Sequence, residues 1–145
     1  MEIDIRHFDA FFKIVDVIAE LSYAKRAKVG AIIIKDDRVL STGFNGMPSG
    51  LENECEFEHQ NQVFTKKQVI HAEVNAIAFA AKNGISTDGS IMFCSYSPCI
   101  DCAKLIIQSG IRVVAFKNIY RDSDGLNLLR AANIDIIFST QNKNT

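Results

Sequence analysis

The sequence lacks any apolar run near the ~18–20 residues needed to cross a bilayer as a helix, which excludes a membrane-spanning helix. It also lacks a charge bias. Sixteen Lys and Arg stand against 17 Asp and Glu, a net charge of −1, so there is no general electrostatic footprint for DNA or RNA, and any anion site must be built locally. The opening stretch MEIDIRHFDAFF has no basic segment followed by an apolar one, the layout of a secretory signal. Repeats, low-complexity tracts and linkers are missing, so the 145 residues are expected to form one domain, 1–145, burying about two-thirds of the unfolded chain's surface. Cysteine is scarce. There are four, and two of them form a C-x-x-C, which in a cytoplasmic-looking chain suggests metal or redox chemistry before a structural disulfide.

What is present is periodic. Phe8, Phe11, Phe12, Val15, Ile18 and Leu21 recur at helical spacing and predict an amphipathic helix over Phe8 to Leu21. Val29 to Ile34 is β-branched and nearly continuous, as in a buried strand. Asp36-Asp37 predicts a turn, and Arg38 to Thr42 a returning strand. Gly43 to Val69 is expected to be a long, functional or tied-down connection. Further on, helices are expected at Ala72 to Lys82, Cys99 to Ser109 and Asp124 to Ala132, closed by Asn83-Gly84 in the first case and Gly110 in the second. Strands are expected at Ser90 to Tyr96, Arg112 to Phe116 and Ile134 to Phe138, and frayed residues at the QNKNT terminus. The alternation predicts a three-layer α/β/α sandwich around a mixed five-stranded sheet, with a hairpin first and parallel strands after it.

Two short motifs carry chemistry, His71-Ala72-Glu73 and Pro98-Cys99-Ile100-Asp101-Cys102. Together they match H-x-E…P-C-x-x-C, the signature of zinc-dependent nucleobase deaminases. Cys99 and Cys102, three apart at a helix start, present both thiols on one side, where free N–H groups and the helix dipole favour thiolates. His71, at the start of the other helix, supplies an imidazole. Three such ligands leave a fourth zinc position open, as catalytic sites do. Glu73 is expected to act as the proton shuttle and not as a ligand. A lone C-x-x-C would suit a redox pair or half of a structural zinc site, and a lone H-x-E arises by chance; the combination at two helix starts is far more specific. A structural site also has no use for a shuttle. Cys94 reads as a small core residue. Cys55 and His59, at i and i+4, are open to two readings, a second zinc or chance polar loop residues. His7 is expected to be solvent-facing or capping, and Glu52 to Glu58 a solvated acidic face.

Along most of its length the chain resembles the deoxycytidylate (dCMP) deaminase family. The resemblance is carried by Lys28-Val-Gly-Ala-Ile-Ile-Ile, Thr42-Gly-Phe-Asn-Gly-Met-Pro-Ser-Gly50, His71-Ala-Glu-Val-Asn-Ala-Ile77, Pro98-Cys-Ile-Asp-Cys-Ala-Lys-Leu-Ile-Ile-Gln-Ser-Gly110 and Tyr120-Arg-Asp. Related tRNA adenosine deaminases differ in these stretches, and free cytidine deaminases typically place a cysteine where this chain has His71. The family implies Zn2+-dependent hydrolysis of dCMP to dUMP and ammonia, supplying thymidylate synthesis in the cytoplasm of a cell or of a virus's host. The alternatives are action on dCTP or on a tRNA adenosine. It further implies that Ser22 and Arg26 hold the 5′-phosphate, that Asn45 holds the 3′-hydroxyl, and that Ala72, Tyr120 and Arg121 complete the substrate contacts. A homohexamer is implied too, with dCTP and dTTP as effectors at Asn45, Gly46 and Met47, and with no nucleic-acid or membrane partner. The loop Leu51 to Gln68 departs from the family's usual cysteine-rich pattern, which is reduced here to Cys55.

Overall fold

In the computed structural model, residues 4–139 are described; the QNKNT expectation lies outside them. In chain order the elements are α1 (Ile5–Ala19), β1 (Gly30–Lys35), β2 (Arg38–Phe44), β3 (Glu56–His59), β4 (Gln62–Thr65), α2 (Ala72–Lys82), β5 (Ile91–Tyr96), α3 (Ile100–Gln108), β6 (Val113–Asn118), α4 (Asp124–Ala131) and β7 (Asp135–Phe138). Helix α1 starts where the Asp4 carboxylate accepts the Arg6 N–H, satisfying one orphan donor. His7 therefore does not cap it; it is half-exposed, with Nδ1 3.2 Å from an Asp37 carboxylate oxygen. The helix ends two residues before Leu21, which is exposed.

The main sheet has strand order β2-β1-β5-β6-β7. Strand β1 is antiparallel to both neighbours, while β5, β6 and β7 are mutually parallel. Thus β2, β5, β6 and β7 all point one way, as strands joined through helices should. The β1–β2 hairpin closes through Asp36 and Asp37, both with positive φ (52° and 59°), the combination that suits the twist of a two-residue hairpin.

Alternate residues of the sheet serve two cores. On one face Ile32, Ile34, Phe93 and Ala115 meet Phe8, Phe11, Phe12 and Val15 of α1. The Phe93 ring lies 5.1–5.4 Å from the rings of Phe8, Phe11 and Phe12, and burying each such side chain stabilises the fold by roughly 1.5–3 kcal/mol. On the other face Ala31, Ile33, Met92, Cys94, Val114 and Phe116 meet α2, α3 and α4. The α/β/α sandwich is as expected, with one helix on one side and three on the other. Cys94 is a buried core residue, also as expected, and burial pushes its thiol pKa well up.

Two differences from the sequence reading concern the long connection. Strand β2 continues to Phe44, and the connection holds a second hairpin, β3–β4, turned by Gln60 and Asn61 at φ 51° and 61°. Its signal was weak because the turn lacks glycine and β4 is exposed on both faces, so no buried alternation marks it.

Close backbone approach positions the start of α2. A side chain at Gly43 would press on the Ala72 carbonyl and the Ala76 backbone N–H, so α2 lies directly on β2. Ala72, Ala76 and Ala80 keep that contact thin.

Candidate active site

Two helix N-termini converge. His71 is the N-cap residue of α2 and Cys99 that of α3; neither side chain is used in capping. Glu73 and Cys102 follow in the respective first turns, both buried. His71 Nδ1 lies 3.5 Å from Cys99 Sγ and 3.4 Å from Cys102 Sγ. Among the described residues, these three form the one group of His, Cys or carboxylate side chains that could hold a metal, with donor atoms all within 4.8 Å of one another.

The donor set fits zinc. Sulfur and nitrogen ligands at bond lengths of about 2.3 and 2.0–2.1 Å on a tetrahedron stand about 3.5 Å apart, the separation found between the imidazole and both thiols. With no fourth protein donor in the group, one coordination position stays open.

Charge in this group is strongly redistributed. Hydrogen bonds from Cys102 and then His71 lower the Cys99 pKa to about 4. The Cys99 thiolate in turn pushes Cys102 upward, and burial adds to this. Contact with Cys99 raises the His71 pKa against the opposing effect of burial. Burial raises Glu73 above the usual carboxylate range, opposed by the Cys102 and His71 contacts. Gly125 holds the arrangement from behind, because any side chain there would overlap the Pro98 carbonyl and crowd the Cys99 backbone. Helix α4 thus packs directly on the turn that carries Cys99.

His71, Glu73 and Cys99 form one wall of a cleft of about 460 Å³, within the range of small-ligand sites. Arg26, Asn45, Ala72, Tyr120 and Arg121 all line it. Asn45 is fixed by the loop before β1: its Oδ1 accepts the Val29 N–H (2.9 Å) and its Nδ2 donates to the Ala27 carbonyl (2.8 Å). That leaves the second amide N–H free. The Arg121 guanidinium sits 5.8 Å from the Tyr120 ring centre, a cation–π distance.

Ser22 departs from expectation. It is buried and absent from the cleft wall, its hydroxyl donating to the Asn45 carbonyl (2.7 Å) and accepting the Ala24 N–H (3.1 Å). A hydroxyl with one hydrogen, already committed inward, supports the Asn45 loop. Gly46 and Met47 also lie off the cleft; Gly46 bridges to Ile70, next to His71.

Cys55 is buried and accepts the Met47 N–H, whereas His59 lies exposed in β3, and no third donor joins them among the described residues. Apart from Cys55, the acidic stretch Glu52 to Glu58 is largely solvated, and among its acids Glu56 stands out. Glu56 reaches the cleft wall, as do Thr65 and Ser97, which the sequence reading missed. Ser97, beside Pro98, was within reach of the motif; Glu56 and Thr65 had no sequence signal.

Fold and site together define a zinc-dependent deaminase of the α/β/α type. Residues 7–118 match the family described as "Cytidine and deoxycytidylate deaminase zinc-binding region", and the chain belongs to that family. The deoxycytidylate deaminase of Enterobacteria phage T4 is 35% identical over 157 residues, covering 81% of this chain and 81% of the relative. A crystal structure of dCMP deaminase from the cyanophage S-TIM5 in complex with dCMP and dUMP is 38% identical, with a TM-score of 0.88 over 94% of this chain and 99% of that one. A structure from a study of tRNA:A34 deaminases shares only the fold, at 18% identity and a TM-score of 0.62 over 90% of this chain and 91% of that one.

The skewed thiols make a direct test. After zinc is stripped with a chelator, Cys99, with a pKa of about 4, is almost wholly thiolate at pH 6 and should alkylate there, since the thiolate is the reactive form. Cys94, buried with a raised pKa, should not react, and added zinc should protect Cys99. Mass mapping of iodoacetamide adducts checks this; Cys94 labelling ahead of Cys99 would contradict it.

Proposed function

We propose that this chain is a deoxycytidylate deaminase that hydrolyses dCMP to dUMP and ammonia, with His71, Cys99 and Cys102 as zinc ligands and Glu73 as proton shuttle. One observation carries the reading: an imidazole and two thiols gathered at zinc-ligand spacing beside a buried carboxyl in the cleft wall. When bound, zinc supplies the Lewis acidity that lets a water ionise near neutral pH.

The chain's own groups do the rest. Glu73 accepts a proton from the attacking water and passes it to ring N3; it then takes the proton left on the new C4 hydroxyl and gives it to the leaving amine, so that the C4–N bond breaks and a C4 carbonyl remains. A carboxyl raised by burial suits that two-way traffic better than an ordinary acid, because a shuttle works best with a pKa near the working pH. Backbone N–H groups in the first turn of α2, beginning at Ala72, lack helical acceptors and are available to orient the base. Asn45 offers its remaining N–H to the sugar 3′-hydroxyl. Tyr120 flanks the nucleotide, while Arg26, with Arg121 also on the cleft wall, meets the 5′-phosphate. Arginine's planar fork of donors suits phosphate.

Glu73→Gln should fold and bind zinc, yet lose about 10²–10⁴-fold in kcat. Metal analysis with an absorbance assay on dCMP checks both halves; near-normal turnover of a zinc-loaded variant would remove the role of Glu73.

Substrate preference is the second test. A charge-assisted bond to phosphate contributes roughly 1.5–3 kcal/mol. Arg26→Ala should therefore lower kcat/KM for dCMP about ten- to a hundredfold and spare the weaker activity on deoxycytidine. Equal losses on both would make Arg26 structural, and a parent enzyme that favours deoxycytidine, dCTP or a tRNA adenosine would replace the substrate assignment itself.

Assembly as a homohexamer and control by dCTP and dTTP are supported by the family resemblance and by the retained Asn45-Gly46-Met47 loop, whose Gly46 pairs with Ile70 beside His71. Light scattering should give six chains, and saturating dTTP should inhibit; a monomer, or indifference to dTTP, would count against the respective half.

A further inference from the structure

The hairpin β3–β4 touches the cleft through a single pair of residues, and both members end on the same neighbour. Glu56 and Thr65 stand directly opposite each other at the open end of the hairpin. The Glu56 carboxylate accepts the backbone N–H of Lys25, at 3.2 and 3.0 Å to its two oxygens, and that of Arg26 at 3.3 Å. Thr65 Oγ1 accepts from Arg26 Nη1 at 3.2 Å. One strand thus grips the Arg26 main chain and its partner grips the guanidinium.

The gripped segment has little else to shape it. Residues 22–29 belong to no helix or strand. Ser22 ties its near end at Ala24, and Asn45 ties its far end at Ala27 and Val29. Between those ties, the N–H groups of Lys25 and Arg26 find their acceptor in Glu56. Arginine has long, rotamer-rich stems whose ordering is costly, so a guanidinium held in place before a ligand arrives binds it better than a free one. Thr65 engages one of five guanidinium N–H donors and leaves the others for a ligand.

We propose that Glu56 and Thr65 are positioning residues for Arg26, and that the β3–β4 hairpin thereby sets the enzyme's preference for a 5′-phosphorylated substrate. This rests on the assignment of Arg26 to the phosphate. Glu56 acts here by its reach and not by its charge, since a carboxylate beside a phosphate site would by itself repel the ligand. The two roles predict opposite behaviour in conservative variants. Glu56→Asp keeps the charge and loses the reach; Glu56→Gln keeps the reach and one acceptor oxygen and loses the charge.

The experiment compares the zinc-loaded parent with Glu56→Asp, Glu56→Gln, Thr65→Val, Thr65→Ser and Arg26→Ala, and combines Thr65→Val with Arg26→Ala. Thr65→Val and Glu56→Asp should raise KM for dCMP about three- to tenfold, about the net contribution of one hydrogen bond, with a much smaller change in kcat and a smaller effect on deoxycytidine. Thr65→Ser and Glu56→Gln should stay closer to the parent. Adding Thr65→Val to Arg26→Ala should cost nothing further, because residues acting through one group are not additive. Hydrogen exchange at the Lys25 and Arg26 amides should quicken in Glu56→Asp.

If Arg26→Ala impairs dCMP turnover while Thr65→Val and Glu56→Asp leave KM as in the parent, the positioning role is wrong and the phosphate assignment stands. A Glu56→Gln enzyme with a lower KM for dCMP and an unchanged Glu56→Asp would also overturn it, making Glu56 a repulsive charge. An Arg26→Ala enzyme that handles dCMP like the parent removes the assignment beneath the proposal, and the proposal with it.

Discussion

Everything at this site depends on two helices beginning at the same point. The first turns of α2 and α3 bring unpaired backbone N–H groups and the positive ends of two helix dipoles to one locus. Such a locus stabilises negative charge, and the side chains placed there, two thiols and a carboxyl, are those that would otherwise suffer most from burial. Glu73, 5% exposed, would be costly in an apolar interior. Here burial raises its pKa while the neighbouring Cys102 and His71 pull it back, leaving a carboxyl able both to take and to give a proton.

That convergence requires thin packing behind it. Helix α2 can lie on β2 because Gly43 has no side chain, and α4 can press on the Pro98–Cys99 turn because Gly125 has none. The alanine face of α2 serves the same end. The opposite face of the sheet is filled differently: there α1 packs its phenylalanines around Phe93. Both faces carry a hydrophobic core, and close approach of backbone to backbone is confined to the side of α2 and α4 that bears the site. The sandwich can therefore carry a polar, titratable site next to a well-filled core.

The cleft is electrostatically local. A chain with a net charge of −1 exerts no general pull on a phosphate, so recognition depends on a few placed donors. Arg26 and Arg121 line the same cleft as Glu56, and the acid is committed to backbone N–H groups of the segment carrying Arg26. Under the proposed assignment of Arg26 to the phosphate, it is the reach of Glu56 to those N–H groups, and not its charge, that orders the segment.

The helices, the five main strands and the group His71, Glu73, Cys99 and Cys102 were legible in the sequence, because each rests on spacing within one element. Apolar residues at helical period mark a face, and three-residue spacing at a helix start puts two thiols on one side. The segments around Arg26 and Asn45 were legible only through family resemblance. Tertiary structure alone decided which elements meet. It turned the Ser22 hydroxyl inward to Asn45, although its place in the chain suited a ligand contact. It drew Glu56 out of a solvated acidic stretch and set it with Thr65 against Arg26, thirty and thirty-nine residues away in sequence. No period in the chain records such a meeting, because the β3–β4 hairpin is largely exposed and meets the Arg26 segment through a few hydrogen bonds made by Glu56 and Thr65.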